Sequence, residues 1–183
     1  MSTIVGIAGS LRKASFNASL LRAAVEVASP GTRVEIASIR EIPLYDGDVE
    51  AEHGIPAPVQ QLKDLIASSD GLLLATPEYN NSLPGVFKNA IDWLSRPASD
   101  IRRVFGDRPV ALMGATPGQG GTILAQSAWL PVIRTLGMRP WFGGRMYVSG
   151  ASKLFDANGR LTDKETRDRL QSFIAGFEKF LKM

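Results

Sequence analysis

The chain has 183 residues, 44% of them hydrophobic and 21% charged, a length and composition suited to one soluble α/β-sized domain over residues 1–183. It has no cysteine and one histidine, His53, which argues against a disulfide framework, a thiolate cluster, a histidine metal centre or a Ser-His-Asp triad. The net charge of +3 comes from dispersed basic residues, and no apolar run nears the roughly 20 residues of a membrane span, so we expect a cytoplasmic protein with neither nucleic-acid nor membrane partners.

In chain order, Thr3–Ala8 reads as a buried strand. The run Gly9-Ser-Leu-Arg-Lys-Ala-Ser-Phe-Asn17 follows it, and a helix over Phe16–Ala28 places Leu20, Leu21, Ala24, Val25 and Ala28 on one face. The run is therefore a strand-to-helix turn, where backbone N–H groups and the positive end of a helix favour an anion. Ser10, Arg12, Ser15 and Asn17 add two hydroxyls, a guanidinium and an amide. The two serines also suit plain helix capping.

Arg33–Ile39 reads as a second strand, with Val34 and Ile36 on one side, and Ile42–Asp48 as a loop. Pro56 and Pro58 open a helix bearing Val59, Leu62 and Ile66. Gly71–Ala75 is continuously apolar, the mark of a strand covered on both faces. Thr76-Pro-Glu-Tyr-Asn-Asn-Ser-Leu-Pro-Gly85 is a second special loop; the helix after it buries Val86, Phe87, Ala90, Ile91 and Leu94. Residues 98–108 read as a polar linker.

Pro109–Gly114 is the fourth strand, and Thr116-Pro-Gly-Gln-Gly-Gly121 a third loop before a helix over Thr122–Leu136 with Pro131 inside it. Arg139–Val148 is a strand interrupted at Gly143-Gly144. Thr162-Asp-Lys-Glu165 reads as a capping box for a last amphipathic helix.

Alternating strands and helices predict an α/β fold: a flavodoxin-like three-layer sandwich with a five-stranded parallel sheet, order 2-1-3-4-5, and helices on both faces. The three special loops then share the edge at which such sheets bind ligands. No G-x-G-x-x-G follows the first strand and no Walker-type loop is present. A Ser/Arg/Asn loop suits a phosphate monoester, and two flanking loops rich in Pro, Tyr, Asn and Gly suit a flat heterocycle. Together they point to FMN.

Ser10–Asn17, Pro77-Glu-Tyr-Asn80 and Leu83-Pro-Gly-Val-Phe-Lys-Asn-Ala-Ile-Asp-Trp93 resemble the NADPH-dependent FMN reductase family, in its quinone or chromate reductase branch. The resemblance implies that Ser10, Arg12, Ser15, Phe16 and Asn17 hold the FMN phosphate. Pro77, Glu78, Tyr79 and Asn80 would wrap the flavin edge, largely through backbone groups. Thr116, Pro117, Gly118, Gln119, Gly120 and Gly121 would close the other side.

It further implies an NAD(P)H:acceptor oxidoreductase that reduces quinones or similar small molecules by alternating half-reactions. NADPH or NADH would be the co-substrate, with no catalytic side chain and no metal. The alternative is a flavodoxin-type electron carrier, against which the mildly basic charge argues. A homodimer is implied, with a tetramer as the larger option; Tyr45, Trp93 and Trp129 are candidates for its apolar surface, and the two tryptophans read equally as core residues. Glu78 also reads as a cap or ion-pair partner within its loop.

Overall fold

The structure, a computed structural model, describes all residues from Met1 to Met183. The strands are β1 (Ser2–Ala8), β2 (Thr32–Ala37), β3 (Gly71–Ala75), β4 (Pro109–Ala115), β5 (Arg139–Pro140) and β6 (Met146–Val148). The helices are α1 (Phe16–Val27), α2 (Gly47–His53), α3 (Ala57–Ala67), α4 (Gly85–Leu94), α5 (Ile101–Val104), α6 (Ile123–Thr135) and α7 (Lys164–Phe180). The strands are parallel in the order β2-β1-β3-β4-β5. The predicted fifth strand is split: β5 pairs with the start of β4 and β6 with its end, on either side of Gly143-Gly144.

Residue alternation along the strands builds two cores. Ile4, Leu73, Ala111 and Met113 face α1 and α7, where Leu20, Leu21, Leu170, Phe173 and Phe177 cover them. Val5, Ile7, Leu72, Leu74 and Val110 face α3, α4 and α6, meeting Val59, Ile66, Phe87, Ile91 and Trp129. This division is what a three-layer sandwich requires.

Several elements depart from the sequence reading. Residues 47–53, the end of the expected loop and beyond, form α2, capped by Asp46, whose carboxylate accepts the Asp48 N–H at 2.9 Å. No residue of α2 is buried, so no apolar stripe marks it. Val25 of α1 and Val86 of α4 are exposed, while Ala23 and Trp93 take buried positions on those helices. Ile36 is also exposed, because β2 is the outer strand. The cap of α7 is Asp163, which accepts the Thr166 N–H at 2.8 Å, one residue later than the expected box. The Thr162 hydroxyl donates instead to the Leu154 carbonyl.

Residues 98–108 are no linker. A 3₁₀ turn over Ala98–Asp100 runs into α5, and Val104 and Phe105 are fully buried. The turn is tied down by Lys63, itself fully buried, whose Nζ lies 2.6 Å from the Asp100 carboxylate. Arg103 grips the same carboxylate at 2.9 Å and reaches Asp64 at 2.8 Å.

Hydrogen bonds from Arg103 and then Lys63 hold the Asp100 carboxyl well below the usual carboxylate range. A carboxyl depressed in the folded state contributes stability above its unfolded pKa and loses it as pH falls. Asp100→Asn is therefore expected to lower stability by about 2 kcal/mol at pH 7, mostly by leaving a buried ammonium poorly paired. The gap from wild type should close as pH falls below about 4. Urea melts of both proteins at pH 7 and at pH 3 check this.

Candidate functional site

The register brings the three special loops to one level. Gly9 N–H donates to the Ala75 carbonyl, Thr76 N–H to Met113 and Thr116 N–H to Val148, each at 2.9 Å. The chain thus leaves β1, β3 and β4 at the same carboxyl-terminal edge.

In the first loop, Ser15 caps α1, its hydroxyl accepting the Ala18 N–H at 3.2 Å. The backbone N–H groups of Lys13, Ala14, Ser15, Phe16 and Asn17 donate to no acceptor in the chain. The side chains of Arg12 and Lys13 are exposed and pair with no carboxylate. A bundle of free N–H donors at a helix start, beside two unpaired cations, is the donor set a phosphate monoester needs. Ser10 is half-buried, and its hydroxyl faces the Arg12 N–H at 3.4 Å.

Asn17 is placed differently from the other four. Its buried amide clasps the backbone of Ala115, donating to the carbonyl and accepting the N–H, both at 2.9 Å. One amide N–H remains for a ligand. The side chain therefore ties the first loop to the end of β4, beneath the third.

The second loop is a tight hairpin. Tyr79 and Ser82 exchange N–H···O bonds of 3.0 Å, with Asn80 and Asn81 between them at φ 50° and 61°. Asparagine tolerates that left-handed conformation, which a two-residue hairpin turn requires. Tyr79 and Asn80 are exposed, and Pro77 is buried. At the root, the Thr76 hydroxyl donates to the Pro77 carbonyl and accepts the Trp129 indole N–H at 3.0 Å. Trp129 and Trp93 are both fully buried, which removes them from the candidate subunit surface. Trp129 packs edge-on against Phe87, and the Trp93 indole donates to the Pro43 carbonyl.

The Glu78 side chain crosses to the third loop. Its Oε2 accepts the N–H groups of Leu124 at 2.9 Å and Ala125 at 3.0 Å, in the first turn of α6. The capping alternative for Glu78 thus holds, on another element rather than its own loop. In the third loop Pro117, Gly118, Gln119 and Gly120 are exposed, Thr116 is half-buried and Gly121 is buried. The N–H groups of Gln119, Gly120 and Gly121 have no acceptor in the chain. A methyl at Gly118 would meet only the Thr116 hydroxyl, at 3.7 Å, so open space lies beside it.

One residue of this edge escaped the sequence reading. Gly114, the penultimate residue of β4, is overlain by Thr122, which is buried in the left-handed region at φ 66°. A Cβ on Gly114 would lie 2.0 Å from the Thr122 hydroxyl and 2.4 Å from the Thr76 carbonyl oxygen. Gly9, which opens the first loop, is pressed against the Phe87 ring, which would lie 2.2 Å from a methyl at that position. A glycine at a strand end was the only signal.

A parallel sheet in the order β2-β1-β3-β4-β5, with three special loops leaving one edge and helices on both faces, defines a flavodoxin-like α/β protein. The sequence profile of the NADPH-dependent FMN reductase family matches residues 2–153, and the chain belongs to that family. It is 39% identical to an NAD(P)H-dependent FMN reductase of Pseudomonas aeruginosa, over 98% of this chain and 95% of that one. It is 36% identical to a 2-hydroxy-1,4-benzoquinone reductase of a Burkholderia species, over 98% and 96% of the two chains. Among solved structures it is similar to FerB, a flavoenzyme NAD(P)H:(acceptor) oxidoreductase of Paracoccus denitrificans. That match has a TM-score of 0.88 and 33% identity, covering 100% of this chain and 98% of FerB.

Proposed function

We propose that the three loops bind FMN and that a quinone or a similar small molecule is the acceptor. The chain is an FMN-dependent NAD(P)H:acceptor oxidoreductase by its family and its relatives. The observation that carries the site assignment is the first loop, with five free N–H groups beside unpaired Arg12 and Lys13. In this reading Ser10, Arg12, Ser15, Phe16 and Asn17 hold the phosphate. The backbone of Pro77–Asn80 lines one side of the isoalloxazine, and Thr116–Gly121 the other.

When bound, FMN supplies the hydride and electron-transfer chemistry. The chain's residues bind and orient. Free N–H groups at Gln119–Gly121 offer donors to the flavin's carbonyl edge, and exposed Tyr79 walls the entrance. Donor and acceptor use the open face in turn, which needs no side-chain acid or base.

For NADPH, several arginines could supply the 2′-phosphate contact, among them Arg102, Arg103 and Arg145. Arg103 is committed to Asp100 and Asp64. Arg102 sits on α5, close to Arg108, whose guanidinium binds carbonyls just before β3, at the edge away from the loops. Arg145 is exposed, has no carboxylate partner and precedes β6, which pairs with the last three residues of β4. We assign the 2′-phosphate contact to Arg145.

The finer reading also includes a cytoplasmic location, suited to NAD(P)H use; no helix is long and apolar enough to cross a membrane. It includes a homodimer through Leu44, Tyr45 and Val86, which are exposed beside the site edge. Asn89 of α4 holds that segment, accepting the Tyr45 N–H and donating to the Pro43 carbonyl. A sedimenting monomer with FMN bound would remove the dimer.

The purified protein is expected to show a bound-flavin spectrum that bleaches promptly with anaerobic NADPH and returns on adding benzoquinone. Flavin that stays oxidised with both NADPH and NADH would instead mark an electron carrier. A protein that takes up no FMN would refute the site.

A further inference from the structure

Glu78 is the one carboxylate set between the two loops proposed to flank the flavin, and it faces neither the first loop nor solvent alone. Besides the two α6 N–H groups on its Oε2, its Oε1 would lie 3.6 Å from a methyl on Gly120. One side chain thus spans the second and third loops. The helix it meets lacks a cap of its own. Thr122 holds the cap position in a left-handed conformation and makes no capping bond; its hydroxyl accepts from the Gln126 amide at 3.1 Å.

Two consequences follow from elementary electrostatics. A carboxylate on the first turn of a 13-residue helix offsets the positive end of the helix dipole. The Leu124 and Ala125 N–H groups, so occupied, cannot donate to a ligand. A helix start left free at this edge would favour reduced flavin, which carries a negative charge near neutral pH, over the neutral oxidised form. With Glu78 in place that preference is offset.

We propose that Glu78 is a positioning residue of the flavin site: its carboxylate fixes the spacing of the two loops and keeps the bound flavin strongly reducing. The inference rests on the flavin reading above. The test measures oxidised-FMN affinity by fluorescence quenching and the two-electron potential against a reference dye, in wild type and three variants.

Glu78→Gln keeps length and one acceptor but removes the charge. It should bind oxidised FMN within about threefold of wild type and prefer reduced FMN about tenfold more, a rise of about 30 mV for a two-electron couple. Glu78→Ala loses both hydrogen bonds, and its Kd for oxidised FMN should rise about tenfold. Leu124→Pro removes one bond and keeps the charge, at a second helical position where proline is tolerated. It should weaken FMN binding about threefold and leave the potential at the wild-type value.

A wild-type potential in Glu78→Gln overturns the electrostatic role, as does an equal rise in Leu124→Pro. A wild-type Kd in Glu78→Ala overturns the brace. Wild type that binds FMN while every variant follows it sinks this inference alone; wild type that takes up no FMN sinks the flavin reading with it.

Discussion

Gly114→Ala is expected to abolish FMN uptake and to lower stability by about 3 kcal/mol, the upper end of the usual cost of overpacking. The added methyl would sit 2.0 Å from the Thr122 hydroxyl and 2.4 Å from the Thr76 carbonyl oxygen. One of these neighbours is backbone, and the other belongs to a residue already held at a positive φ. Neither yields by changing a rotamer alone. The methyl would push the second and third loops apart at their roots, where Thr76 also anchors Pro77 and Trp129. Gly31→Ala is the control, because a methyl there meets nothing within 4 Å. It should match wild type in both urea melts and FMN titration.

Arg12→Ala should raise the Kd for FMN about tenfold to a hundredfold, the worth of a charged hydrogen bond to a phosphate. Stability should barely move, because the side chain is exposed and has no partner to lose. Riboflavin, which lacks the phosphate, separates this effect from a general loss of shape: its affinity should be the same in both proteins. Arg12→Lys should recover part of the loss, as a point charge without the bidentate fork. Equal losses for FMN and riboflavin would place Arg12 elsewhere than on the phosphate.

The sheet order and the three loops were legible in the sequence because both rest on local signals. Alternating apolar runs and helical periodicity give the elements, and Ser, Arg, Gly and Pro mark the turns between them. What joins the loops was not legible. Asn17 clasps Ala115, 98 positions away, and Glu78 caps α6 from 46 positions away. In both cases the partner is a backbone group, which any residue type supplies, so the sequence carries no complementary signal.

Short elements were hidden for a different reason. The four residues of α5 are too few to show a period, and the surrounding charges gave residues 98–108 the look of a linker. Those charges are the fastening: Asp100 and Arg103 lock onto Lys63 and Asp64. Trp93 and Trp129 read as core or dimer-interface residues, and both stand as candidates for the interface. Each instead spends its N–H inside the fold, on Pro43 and Thr76.

The split fifth strand bears on how copies of this chain can meet. A long, flat outer strand is a template on which another chain's strand can form, the usual route to fibrous aggregates. Here that border offers two residues, a break at Gly143-Gly144, and then three. The opposite border, β2, carries Arg33 and Glu35 paired at 2.8 Å. β2 is six residues long, so that border is guarded by its charged side chains and not by its length. The break at Gly143-Gly144 thus discourages sheet extension by another chain at one border, and the charges discourage it at the other.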